Sequence, residues 1–186
     1  VGPPWPISTI RILDDDHQPV PTGEVGTVWI QMGQHTFEYH GDRDKTDRAW
    51  SEGFFTVGDA GYLDDDGYLF LCDRKSDMII SGGVNIYPAE IEAMLIEHPA
   101  VVDCAVFGVP DADWGEQVKG VVQVSDATVT DESLAAEIIA FCRERLAGYK
   151  CPRTVDFVDE LPRDPNGKLY KRRLRDPYWE GQTRAI

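Results

Sequence analysis

The spacing of the apolar residues changes near Arg74, and that change constrains the fold more than any single motif. Before it, short β-branched or aromatic runs (Ile7 to Leu13, Val25 to Met32, Phe54 to Asp59, Tyr68 to Leu71) are separated by Asp, Pro and Gly. Runs of that length read as strands and the breaks between them as turns. One short helix fits among them, at about Asp44 to Trp50. Tyr62-Leu63 and Tyr68 to Leu71 flank Asp64-Asp65-Asp66-Gly67, an acidic turn with glycine where positive φ is expected, so a hairpin is predicted there.

After Arg74, strand-like runs alternate with helical spacing. Ile79-Ile80 ends in Ser81-Gly82-Gly83, and Pro88 opens a helix whose Ile91, Met94 and Leu95 share a face until Pro99. Val101 to Val109, Val118 to Val124 and Val155 to Val158 read as strands. Thr130 is the expected cap of a second helix. Asp131 and Glu132 stand in its first turn, Leu134, Ile138 and Phe141 on one stripe, Arg143 and Arg145 in the last turn, and Gly148 just beyond. This order suits a small α+β sheet with helices on one side. The fold class predicted is therefore α+β: a β-rich region over 1–73, a connection over 74–77, and an α+β domain over 78–186.

A net charge of −15 makes phosphate backbones and anionic membrane surfaces poor partners, so no nucleic acid is expected. The cations are partly gathered: Arg163, Lys168, Lys171, Arg172, Arg173 and Arg175 face Asp164 alone over 163–175, and that segment is expected to meet an anion. Cys72, Cys104, Cys142 and Cys151 form no C-x-x-C pair, and His17, His35, His40 and His98 are scattered. No metal site and no disulfide framework is read, which points to a reducing, cytoplasmic setting. No apolar run approaches the ~18 residues of a spanning helix. The first residue is Val1, with no leader pattern, so either a leader is missing or the chain is a fragment of something longer.

Three segments have the residue types for chemistry. In Thr56-Val57-Gly58-Asp59, the aspartate either caps the chain after a strand or accepts two ribose hydroxyls. In Asp73 to Gly83, the glycines either close a plain turn or let backbone approach a ligand, with Ser76 and Asp77 absorbing a change in φ and ψ. In Leu161 to Lys168, the lysine sits on a loop bounded by Pro and Gly, where a long cation can be carried to a ligand. The basic stretch after it also reads as an ordinary solvated helix.

In this order and spacing the segments resemble the C-terminal part of the adenylate-forming enzymes, the superfamily of acyl- and aryl-CoA synthetases, luciferases and peptide-synthetase adenylation domains. Gly23 to Ile30 is similar to a strand pair late in the large domain. Gly58-Asp59 with Gly61 to Asp64 and Asp66-Gly67-Tyr68 is similar to the ribose-binding aspartate motif. Asp73-Arg74 through Glu92 resembles the hinge motif, and Pro162-Arg163 with Asn166-Gly167-Lys168 resembles the catalytic-lysine motif.

The resemblance implies that Asp59 binds the ribose of ATP, that Arg74 lies near ribose and phosphates, and that Lys168 bridges the substrate carboxylate and the α-phosphate. It implies a pivot at Ser76, where many relatives have Asp or Lys, with Asp77 as the neighbouring candidate. Gly82 and Gly83 would border the thiol tunnel. Trp114 and Tyr149 would contact the CoA nucleotide, or else serve packing. The family's phosphate loop and acyl pocket belong upstream and are absent here. The implied chain is thus a C-terminal fragment of an AMP-forming acyl-CoA ligase, inactive alone and lacking the N-terminal part of the same enzyme. The parent would use a carboxylic, fatty acid with ATP, Mg²⁺ and CoA. Eleven residues after Arg175 leave no room for a carrier domain, which favours free CoA as acceptor. An aryl-CoA ligase or peptide-synthetase domain, and a non-enzymatic binding module that kept the fold, are the alternatives.

Overall fold

A computed structural model describes residues 2–33, 36–125, 128–182 and 184. His35 lies outside them. The chain divides into two compact units, 1–76 and 77–186.

The first unit contains β1 (Ser8–Leu13), β2 (Gly26–Met32), α1 (Arg43–Arg48), β3 (Trp50–Ser51), β4 (Phe54–Phe55), β5 (Asp59–Leu63) and β6 (Leu69–Arg74). Its sheet runs β3-β4-β2-β5-β6, with β1 also paired to β2. Strand alternation sends Ile12 and Val28 to one apolar cluster with Leu69, and Leu13 and Trp29 to another with Phe54. The expected acidic hairpin is β5–β6, with Leu63 opposite Leu69 and Asp59 opposite Arg74. Two expectations need correction. The run from Phe54 to Asp59 is not one strand, because Gly58 at φ 82° turns the chain between β4 and β5. The helix ends at Arg48 rather than at Trp50, whose backbone joins the sheet as β3.

A single 3₁₀ turn over Lys75–Asp77 follows, and the second unit begins within it. That unit contains β7 (Ile79–Ser81), β8 (Val84–Ile86), α2 (Pro88–Ile96), β9 (Val101–Asp111), β10 (Gly115–Val124), α3 (Glu132–Arg143), β11 (Thr154–Val158) and α4 (Lys171–Arg175), and ends in a 3₁₀ turn over Asp176–Trp179. β10 pairs with β9 along its length, with β11 in parallel, and with β7 at Gly115. On one face Val106, Val118 and Val122 pack with Ile91 and Leu95 of α2 and Ile138 and Cys142 of α3. The buried stripe of α3 is therefore Ile138 and Cys142, while Phe141 flanks it, stacked edge-on to His98.

The other face is also covered, which the helix count alone did not predict. Ala105, Phe107, Val109 and Val121 meet Leu161, with Leu169 and Leu174 packed against them. The covering segment is fastened by polar contacts. Trp179 donates from Nε1 to the Gly108 carbonyl at 3.0 Å, and Tyr178 donates to Asp156, whose carboxylate also holds the Lys119 ammonium at 2.8 Å. Arg184 reaches the buried Glu116 carboxylate at 2.9 Å. Burial pushes the Cys104 thiol up to about 12 and Cys142 to about 11, so both remain protonated core residues.

The cap of α3 differs from the sequence expectation by one residue. Asp131, extended at ψ 177°, accepts from the Leu134 N–H at 2.9 Å, and Thr130 precedes the helix. Asp131→Ala should lower the urea midpoint of the second unit by an amount worth about 1 kcal/mol, with Thr130→Ala much closer to wild type. Equal effects of the two substitutions would return the cap to Thr130.

Candidate functional site

The candidate residues fall into three groups. In the first unit, Asp59 opens β5 and Arg74 closes β6, so the antiparallel register sets them directly opposite each other. Arg74 Nε lies 3.3 Å from Asp59 Oδ1. The pair engages one oxygen of that carboxylate across the two strands. Its second oxygen is the natural acceptor for a hydroxyl. Gly58 accepts from the Lys75 N–H at 2.7 Å, and the Lys75 ammonium meets Asp15 at 2.5 Å, which fixes the strand ends next to the 3₁₀ turn.

Ser76 and Asp77 lie in that 3₁₀ turn, a geometry common in connectors. The Asp77 carboxylate is not solvated alone: Arg175 Nη1 lies 3.7 Å away, and that arginine side chain is only 11% exposed. Sequence reading named Asp77 and Arg175 separately but not as a pair, because the two are 98 positions apart.

Gly82, Trp114 and Tyr149 come together in the second unit. Gly82 N–H donates to the Trp114 carbonyl at 2.8 Å, and a Cβ on Gly82 would lie 2.5 Å from the indole ring. Glycine is required there, since φ is also +59°. Gly82, Val84, Trp114, Tyr149 and Arg153 line a cavity of about 180 Å³. Trp114 and Tyr149 are about half exposed, so neither is a core residue. Gly83, exposed in the β7–β8 turn at φ +78°, is adjacent but not among the lining residues. The Tyr149 turn is tied to α2 by Lys150 and Glu90, 2.7 Å apart. Arg153 was missed by sequence reading because an isolated arginine after Pro152 carries no pattern of its own.

Around Lys168 the structure corrects the expectation that the basic segment as a whole meets an external anion. Four of its six cations meet the protein's own carboxylates. Arg163 binds Asp103 of β9, Lys171 binds Glu92 of α2 at 2.8 Å, Arg172 lies 3.7 Å from Asp176, and Arg175 engages Asp77. Arg173 lies over the Tyr170 ring at 4.9 Å. Lys168 is exposed, and among the described residues its ammonium has neither a carboxylate nor a ring partner. The backbone beneath it is well held, by hydrogen bonds to Asp164 and across the Arg163–Leu169 bridge.

Among the described residues no group of three or more His, Cys, Asp and Glu side chains could hold a metal ion, and no helix is long and apolar enough to cross a membrane.

Comparison with known proteins gives this geometry a context. Residues 90–168 match the AMP-binding enzyme C-terminal domain. The whole chain is 37% identical over 185 residues to a fatty acid–[acyl-carrier-protein] ligase, ScoC, of Streptomyces coeruleorubidus, of which it spans 35%. It is 40% identical over 176 residues to a long-chain-fatty-acid–CoA ligase of Escherichia coli O6:H1, covering 95% of this chain and 31% of that ligase. ATP-bound MatB from Rhodopseudomonas palustris superposes with a TM-score of 0.86 at 36% identity, over 96% of this chain and 35% of that one. The chain thus spans about a third of the length of the proteins it matches. Residues 90–168 thus match the C-terminal domain of the AMP-binding enzymes, and the chain is similar to acyl ligases over about a third of their length.

Proposed function

We propose that this chain supplies the ribose-binding edge, the hinge and the mobile catalytic domain of an AMP-forming acyl-CoA ligase. The reading is carried by Lys168: of the six cations in 163–175 its side chain alone meets neither a carboxylate nor a ring among the described residues, on a loop whose backbone is fixed. The parent enzyme would act in two steps. A carboxylate oxygen of a fatty acid attacks the α-phosphorus of ATP, pyrophosphate leaves, and acyl-AMP forms. The CoA thiolate then attacks the acyl carbon, AMP leaves, and the thioester forms.

In the first step negative charge gathers on the phosphoryl oxygens while two anions approach each other. Lys168 would lower that repulsion, acting by position and charge rather than by covalent chemistry. Asp59, 3.3 Å from Arg74, would accept the ribose hydroxyls. Mg²⁺ bound to the triphosphate would supply further charge neutralisation, and among the described residues no cluster of side chains is assigned to it. Between steps the second unit would turn about Ser76 and Asp77, withdrawing Lys168 and presenting Gly82 and Gly83 to the acyl group.

CoA is favoured over a carrier protein as acceptor by the cavity beside Gly82. Two half-exposed aromatic rings beside the Arg153 guanidinium suit an adenine nucleotide, which a carrier-borne phosphopantetheine arm lacks. The carrier-protein reading is kept as the alternative by the ligase from Streptomyces coeruleorubidus. The four cysteines, three of them buried, form no disulfide, which fits a reducing, cytoplasmic setting.

In the full-length ligase, Lys168→Ala should slow acyl-AMP formation by ~10² to 10³ and spare thioester formation from preformed acyl-AMP. Equal loss in both half-reactions would make Lys168 structural. Ser76→Pro should do the opposite and let acyl-AMP accumulate. Proline is tolerated early in a helical turn, yet it fixes φ and restricts the residue before it. Normal turnover in both steps would move the pivot to Asp77. Trp114→Ala should raise KM for CoA while leaving that for pantetheine unchanged. An equal rise for both thiols would place the ring in packing rather than in nucleotide contact.

A further inference from the structure

The loop that carries Lys168 is one of three copies of the same five-residue turn among the described residues. In 14–18, Asp14 N–H donates to the Gln18 carbonyl (2.9 Å) and His17 N–H to the Asp14 carbonyl (3.2 Å), while Asp14 Oδ1 accepts from the Asp16 and Gln18 N–H groups (2.9 and 2.8 Å). In 64–68 the same four bonds recur with Asp64, Asp66, Gly67 and Tyr68, at 3.1, 3.0, 3.1 and 2.8 Å. In 164–168 they recur with Asp164, Asn166, Gly167 and Lys168, at 2.8, 2.9, 2.8 and 2.9 Å. The fourth residue has positive φ in every copy, +59° at His17, +78° at Gly67 and +85° at Gly167. Three unrelated flanking sequences thus reach one geometry, so the first aspartate and the positive-φ residue specify the turn.

In the third copy both backbone groups of the fifth residue are held by the first. Lys168 N–H donates to the Asp164 carboxylate, and the Lys168 carbonyl accepts from the Asp164 N–H. Arg163 extends the clamp, donating from Nη1 to the Gly167 carbonyl at 2.7 Å and gripping Asp103 of β9. The lysine stem therefore leaves the chain at a fixed point and in a fixed direction, although its ammonium is unpartnered among the described residues.

We propose that Asp164 is a positioning residue for Lys168, its carboxylate fixing the backbone from which the ammonium reaches the reacting phosphate. This rests on the reading of Lys168 given above. Misplacing a reacting group by about 1 Å can cost on the order of 10²-fold in rate, so the effect belongs to adenylation alone.

The test measures both half-reactions in the full-length ligase, with ATP and a fatty acid for the first and preformed acyl-AMP and CoA for the second. Asp164→Ala should slow adenylation about 10- to 100-fold and leave thioester formation unchanged. Asp164→Asn keeps an oxygen acceptor and should run close to wild type. Asp14→Ala, which removes the same carboxylate from a turn without the lysine, should spare both steps. The proposal is overturned if Asp164→Ala adenylates normally, if both steps fall together, if asparagine fails to rescue, or if Asp14→Ala is equally slow in adenylation. Lys168→Ala run in parallel separates the two ideas. A slow Lys168→Ala with a normal Asp164→Ala removes this proposal alone, whereas a normal Lys168→Ala removes the reading of Lys168 and this proposal with it.

Discussion

The second unit depends on β10. A strand buried between partners must satisfy its backbone groups on both edges, and β10 does so with β9 along one edge and with β11 and β7 on the other. Its alternation then divides the core. Val118 and Val122 face α2 and α3, and Val121 faces the segment that ends in α4. Because β7 joins β10 only at Gly115, the Gly82 turn is brought against Trp114 just ahead of β10. The cavity at Gly82 is thus a consequence of where the central strand begins.

Charge organises the rest of that unit. An acidic chain with one basic segment has carboxylates to spare, and the fold uses them to occupy most of the segment's cations. Arg163 is held by the sheet, Lys171 by α2, and Arg175 by Asp77 beside the 3₁₀ turn. These contacts lie within 12 residues of each other in sequence yet end on three different elements, so the lysine loop and α4 are fixed to the unit as a whole. Paired cations are weaker competitors for an added anion, so on the proposed reading an anion reaching this segment would meet Lys168 first.

The repeated aspartate turn shows how local chemistry can serve different ends. At 14–18 and 64–68 it reverses the chain beside strands, and at 164–168 it presents a lysine. An Asx-type turn satisfies its own backbone groups, so it keeps its shape without much tertiary support. That makes it a suitable base for a side chain that must remain unpaired.

The sequence by itself determined the elements whose signals are local. The β5–β6 hairpin follows from Asp64 to Gly67 between apolar runs, α2 from Pro88 and the 3.6-residue spacing of Ile91 and Leu95, and the Lys168 loop from its Pro and Gly bounds. The candidate residues were legible because motif order along the chain is a one-dimensional property. What depended on distance in space was not legible. Arg175 meets Asp77, Arg163 meets Asp103, and Arg153 joins Trp114 only after β9, β10 and α4 have been brought together. Lone charged residues of that kind carry no periodicity or spacing, and only tertiary structure decides which pair internally and which remain for a ligand. The cap at Asp131 and the break at Gly58 lie between these cases, since each turned on one residue's φ and ψ, which composition leaves open.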